Sequence, residues 1–109
     1  QFLEHSVPLY LTSSFVFEGF IPLKKGKKTL MESLANEERT MIFYESPMRL
    51  VKTLELFKEY FGADRKAAVS RELTKIYEEN ITDTLENLIA HFSAKQVKGE
   101  IVIVVAGKE

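Results

Sequence analysis

The order of strand-like and helix-like segments predicts an α/β domain, a mixed five-stranded sheet flanked by three helices. Three observations carry this. The run Ile101-Val102-Ile103-Val104-Val105 is β-branched and apolar at every position, as a strand inside a sheet and covered on both sides requires. Three other segments repeat apolar residues at the spacing of a helix face. The spacer between the third and fourth strand-like segments is shorter than the dozen or so residues that a parallel crossover needs, so those two strands form a hairpin and the sheet is mixed.

Taken in order, residues 15–20 read as a strand, closed by the loop signals Pro22 and Gly26. Residues 27–38 read as a helix, with Leu30, Met31, Leu34 and Ala35 as its apolar stripe. Residues 40–45 are a strand that runs straight into Ser46-Pro47. There the serine hydroxyl can accept from the free N–H groups of a first helical turn, and proline loses nothing by lacking an N–H. Leu50, Leu54, Phe57 and Phe61 then recur on one face until Gly62, a residue suited to ending a helix. Strands are expected at 66–71 and 76–81. A third helix starting near 82–84 places Leu85, Leu88, Ile89 and Phe92 together, and a last strand covers 100–106.

With 109 residues, 45% of them hydrophobic, the chain supports one core and one domain. Fifteen Lys and Arg against 16 Asp and Glu leave a net charge of −1, so no global field draws nucleic acid or membrane, and any RNA contact must be a local patch. The absence of cysteine excludes disulfides and thiolate metal sites, and His5 and His91 lack ligand spacing, so no metal is expected. No apolar run approaches the roughly 20 residues of a membrane span, and a cytoplasmic location is expected. Residues 1–14 are expected to be a divergent or appended leader, and 15–109 the domain proper.

Three constellations can carry chemistry. Tyr44, Glu45 and Ser46 stand where a buried strand meets a capped helix, the place where ligands settle in open α/β sheets; capping alone also accounts for these residue types. Ser70-Arg71-Glu72-Leu73-Thr74-Lys75 is a polar segment between two strands. It is either a solvated hairpin tip or a loop kept for contact, with Thr74 and Lys75 able to reach an anion and Arg71 and Glu72 able to orient one another. Lys24, Lys25, Lys27 and Lys28 surround Gly26. They can neutralise RNA phosphates with little sequence discrimination, or simply form a solvated face.

Four blocks, in this order, resemble the C-terminal half of the tetrapyrrole (corrin/porphyrin) methylase family, in its ribosomal-RNA-modifying branch. They are Phe17-Glu18-Gly19-Phe20-Ile21-Pro22 with the lysines that follow, residues 37–47, Arg71-Glu72-Leu73-Thr74-Lys75, and Gly99-Glu100-Ile101-Val102. The resemblance implies S-adenosylmethionine as cofactor, bound between this domain and an N-terminal domain that these residues do not include. It also implies methyl transfer to a cytidine ribose 2′-oxygen of small-subunit ribosomal RNA, and a homodimer. It assigns Tyr44, Glu45, Ser46, Leu73, Thr74, Gly99 and Glu100 to the cofactor wall, largely through backbone groups. Arg71, Glu72 and Lys75 fall to substrate RNA or domain contacts, and Lys24, Lys25, Lys27 and Lys28 to substrate RNA. Glu45 and Lys75 are the only titratable candidates for a base. Met48 departs from the pattern, since relatives usually carry His there. A tetrapyrrole-precursor methyltransferase domain and a non-catalytic interaction domain are the alternatives.

Overall fold

The strands are β1 (Phe15–Phe20), β2 (Thr40–Glu45), β3 (Lys66–Glu72), β4 (Glu78–Thr84) and β5 (Glu100–Val105). The helices are α1 (Lys27–Leu34), α2 (Leu50–Phe61) and α3 (Leu85–Ser93), and a 3-10 turn at Pro47–Arg49 leads into α2. This is a computed structural model, and it describes residues 14–72, 78–95 and 97–109. The strands pair in the order β1-β2-β5-β3-β4. β1 and β2 run parallel, and every other neighbouring pair is antiparallel. β5, the last strand in sequence, is therefore the central one, as its composition predicts.

The core lies on one side of this sheet. Met41 and Phe43 of β2, Ala67 and Val69 of β3, and Ile101, Ile103 and Val105 of β5 pack against Met31 and Leu34 of α1, the Leu50, Leu54, Phe57 and Phe61 stripe of α2, and Leu85, Leu88 and Phe92 of α3. Phe57 sits between two rings, 4.7 Å from Phe43 and 5.3 Å from Phe61 by centroid. The cap at Ser46 is the one expected, and Thr84 supplies a second. Ser46 Oγ accepts from the Met48 N–H at 3.2 Å, and Thr84 Oγ1 accepts from the Asn87 N–H at 3.2 Å.

Three expectations need correction. The first helix stops at Leu34 instead of running to residue 38. Its last turn closes through Ala35, Asn36 and Glu37 N–H groups, and the Glu37 carbonyl accepts from Lys108 N at 2.8 Å, which ties that turn to the C-terminal segment instead of a further helical turn. The fourth strand is shifted, ending at Thr84 and not at 81, because its pairing with β3 persists from Glu72↔Glu78 to Lys66↔Thr84 and the same Thr84 then caps α3. Finally, β5 is internal but not sandwiched between helices. Ile42, Ala68 and Val104 form a separate small cluster on the second face, to which no described helix contributes.

Candidate functional site

Strand alternation puts Tyr44 on the second face, at the carboxyl end of β2. Its partner across the ladder is Val102, near the start of β5. β1 is in parallel register and bulges between Phe17 and Gly19, which brings Phe20 opposite Tyr44. The three aromatic rings touch: Phe17 meets Tyr44 edge-on at 5.1 Å and Phe20 lies 5.4 Å from it. Phe15, Phe17, Phe20 and Tyr44 are all exposed, between 43 and 63%.

Beside this patch, where β2 ends and β5 begins, is a concavity of about 460 Å³. That falls in the range of small-molecule sites, roughly 300–1,000 Å³. Tyr44, Glu45, Ser46, Gly99 and Glu100 all line it, with Phe20, Pro47, Ile101 and Val102. The turn into β5 holds Gly99 at φ 91°, a conformation that side chains with a Cβ rarely adopt, so this wall is bare backbone where it bends. The walls combine apolar side chains and an exposed tyrosine ring with a few polar groups, the lining typical of a small-molecule site.

Glu45 is buried and fully engaged. Its Oε1 accepts from the Thr53 hydroxyl, and its Oε2 accepts from the Ser46 N–H at 2.7 Å and lies 3.3 Å from Arg49 Nε. A carboxylate so held fixes the strand-to-helix corner. Thr53 and Arg49 are four residues apart on consecutive turns, so the corner is built from one helix start and one strand end.

Arg71 also has structural partners. Its Nε donates to Glu79 Oε1 at 2.6 Å and its Nη1 to the Lys98 carbonyl at 3.3 Å, which ties β3 to β4 and to the turn before Gly99. Glu79 additionally accepts from Lys95 at 2.9 Å and lies 3.7 Å from His91. The hydrogen bond from Lys95, then that from Arg71, holds the Glu79 carboxyl below its ordinary range. Leu73, Thr74 and Lys75 lie outside the described residues, as does any side-chain contact of Glu72.

Lys24, Lys25 and Lys28 are exposed before and within the first turn of α1, away from the large concavity. Lys27 is half-buried and lines a second, smaller depression with Arg49 and Lys52. Sequence reading missed Phe20, Ile101 and Val102, whose approach to Tyr44 depends on pairing between distant strands, and it made no assignment for Arg49 and Lys52. Among the described residues there is no group of three or more His, Cys, Asp or Glu that could hold a metal, and no helix is long and apolar enough to cross a membrane.

No family model matches the chain. It is similar to proteins named ribosomal RNA small subunit methyltransferase I. One from Thermotoga maritima is 42% identical over 97 residues, 89% of this chain and 43% of that protein. One from Synechocystis is 45% identical over 97 residues, covering 88% and 35%. One from Bacillus subtilis is 46% identical over 94 residues, covering 85% and 32%. The chain thus spans about a third to two fifths of the length of these curated relatives. Its fold is also that of part of two solved enzymes. Cobalt precorrin-4 methyltransferase CbiF, of cobalamin biosynthesis, aligns with a TM-score of 0.64 at 16% identity over 87% of this chain and 41% of that one. The methyltransferase CobJ aligns with 0.65 at 17% over 96% and 45%.

Proposed function

We propose that residues 15–109 are one domain of a two-domain S-adenosylmethionine-dependent methyltransferase, and that the whole protein methylates a cytidine ribose 2′-oxygen in small-subunit ribosomal RNA. One observation carries the cofactor reading. Five residues that the family pattern assigns to the cofactor wall line a single concavity, although they come from two stretches more than fifty residues apart in sequence. The substrate reading is supported by relatives 42–46% identical over most of the chain and named for small-subunit ribosomal RNA. The cobalamin enzymes, at 16–17% identity, speak for the fold alone.

The concavity suits the cofactor chemically: an aromatic ring and apolar strand residues for its heterocycle, glycine backbone and Ser46 for its polar end. When bound, S-adenosylmethionine supplies a methyl group already activated by a positive sulfur. In this reading Tyr44, Val102 and Phe20 hold and desolvate one side of it, while the backbone at Ser46, Gly99 and Glu100 orients it. The family resemblance assigns Leu73 and Thr74, outside the described residues, to the cofactor as well. Glu45, clamped by Thr53, Ser46 and Arg49, positions the corner and is not the base. What remains for the enzyme is alignment of the attacking hydroxyl and removal of its proton, and the groups that do so include residues beyond this chain.

The RNA contacts assigned to Lys24, Lys25, Lys27, Lys28, Arg71 and Lys75, the pairing with an N-terminal domain, a homodimer and a cytoplasmic location belong to the same proposal. The deciding experiment gives the whole protein methyl-labelled S-adenosylmethionine with either small ribosomal subunits or uroporphyrinogen. Label in the RNA is the expected result. Label in the porphyrinogen alone, or in neither, would overturn the substrate assignment.

A further inference from the structure

Arg49, Lys52 and Lys27 come from the 3-10 turn, the first turn of α2 and the start of α1, and converge on one depression of about 70 Å³. It is far smaller than the large concavity and has room for a small tetrahedral anion. Its far wall is apolar, formed by Ile21, Pro22 and Leu23.

The cations are arranged and not merely numerous. Arg49 Nε is held 3.3 Å from the buried Glu45 carboxylate, while none of the described contacts uses its two terminal nitrogens. A guanidinium fixed at one corner keeps its remaining donors pointed outward at little entropic cost on binding. Neither Lys27 nor Lys52 has a described ion pair. Three cations against one carboxylate, itself already engaged with Thr53, Ser46 and Arg49, leave the depression positive.

Its position matters as much as its charge. Glu45 lines both this depression and the large concavity, and consecutive residues Phe20 and Ile21 line one each. An anion seated here is therefore next to the proposed methyl donor, on the other side of the strand ends. Lys24, Lys25 and Lys28, close to Lys27 in sequence, are exposed.

We propose that Lys27, Arg49 and Lys52 form a seat for one backbone phosphate of the substrate RNA, anchoring the strand beside the cofactor concavity without reading its sequence. This rests on the RNA assignment above and names the part of that surface that sets register.

The test uses the whole protein with the pair K27E/K52E, the milder pair K27Q/K52Q, and K58E as a control. Lys58 lies at the far end of α2, 3.7 Å from Glu86. Affinity for small ribosomal subunits is measured across a salt series, together with affinity for S-adenosylmethionine. The expected result is a loss of affinity of about tenfold or more for K27E/K52E, a smaller loss for K27Q/K52Q and none for K58E. The slope of log K against log salt should fall by about 1, the signature of one lost phosphate contact. Cofactor affinity should not move, which also shows that the variants are folded. Wild type that binds and methylates subunits while both lysine pairs keep its affinity and slope would overturn the seat alone. Wild type that neither binds nor methylates subunits would overturn the RNA assignment and the seat with it.

Discussion

The two faces of this sheet are made from the same strands and nearly the same residue types, yet they do different work. On one, Phe43 and its neighbours lie beneath three helices and are sealed from water. On the other, Phe15, Phe17, Phe20 and Tyr44 are exposed, the last two lining the concavity, with no described helix above them. Apolar composition alone therefore does not mark a core. What separates the faces is the helix stripes, whose register matches only one of them, and the open face is left able to meet a ligand.

This contrast predicts unequal costs. Phe57→Ala removes a ring packed between Phe43 and Phe61 and should destabilise the chain by about 3–5 kcal/mol in denaturant unfolding. Phe17→Ala, from a residue 56% exposed, should cost about 1 kcal/mol or less. Similar losses for the two would mean that the faces are equally buried in solution.

Gly107→Ala tests how tightly the helix-side layer closes at its edge. A Cβ there would meet the Glu38 carbonyl oxygen at 2.0 Å, backbone against backbone, so one segment must shift. A loss of about 1–3 kcal/mol is expected from such overpacking, and a neutral result would show that the turn after α1 moves freely. Thr53→Val should cost about 1–3 kcal/mol, since it strips the buried Glu45 oxygen of its hydroxyl donor. It should also weaken cofactor binding in the whole protein, because the corner at Ser46 loses its brace.

The smallest effect belongs to a surface pair. Hydrogen bonds from the Arg39 side chain and then its backbone N–H hold the Glu37 carboxyl at about 2, down from 4.5. Because the folded-state value is depressed, the pair's contribution is present above the ordinary carboxylate range and is lost as pH falls toward 2. Solvent screening keeps it minor. NMR titration should show Glu37 returning toward 4.5 in Arg39→Ala, with little change in unfolding free energy; a large change would assign that turn more weight than its exposure allows.

Much of the fold was legible because its signals are local. Ser46 announces its helix by side-chain chemistry, α2 and α3 by four residues on one stripe, and β5 by its unbroken β-branched run. The early end of α1 was not legible, since Ala35, Asn36 and Glu37 are compatible with helix and the turn is fixed by Lys108 from the other end of the chain. The site divides along the same line. Tyr44, Glu45 and Ser46 stand at a strand-to-helix corner visible in sequence, and Gly99 and Glu100 entered through family resemblance. Phe20 and Val102 became neighbours of Tyr44 only through the pairing of β1 and β5 with β2. Arg49 and Lys52 look like any solvated helix face until Lys27 is brought opposite them.

The concavity between Tyr44, Ser46, Gly99 and Val102 is proposed as one wall of the cofactor site. Val102→Trp places an indole into that space from a partly buried position on the second face. Titration calorimetry of the whole protein with S-adenosylmethionine is the direct measurement. A rise in Kd of at least about thirtyfold, equivalent to about 2 kcal/mol, with unchanged thermal unfolding, is the predicted result, and a folded variant that binds the cofactor as tightly as wild type would contradict the claim.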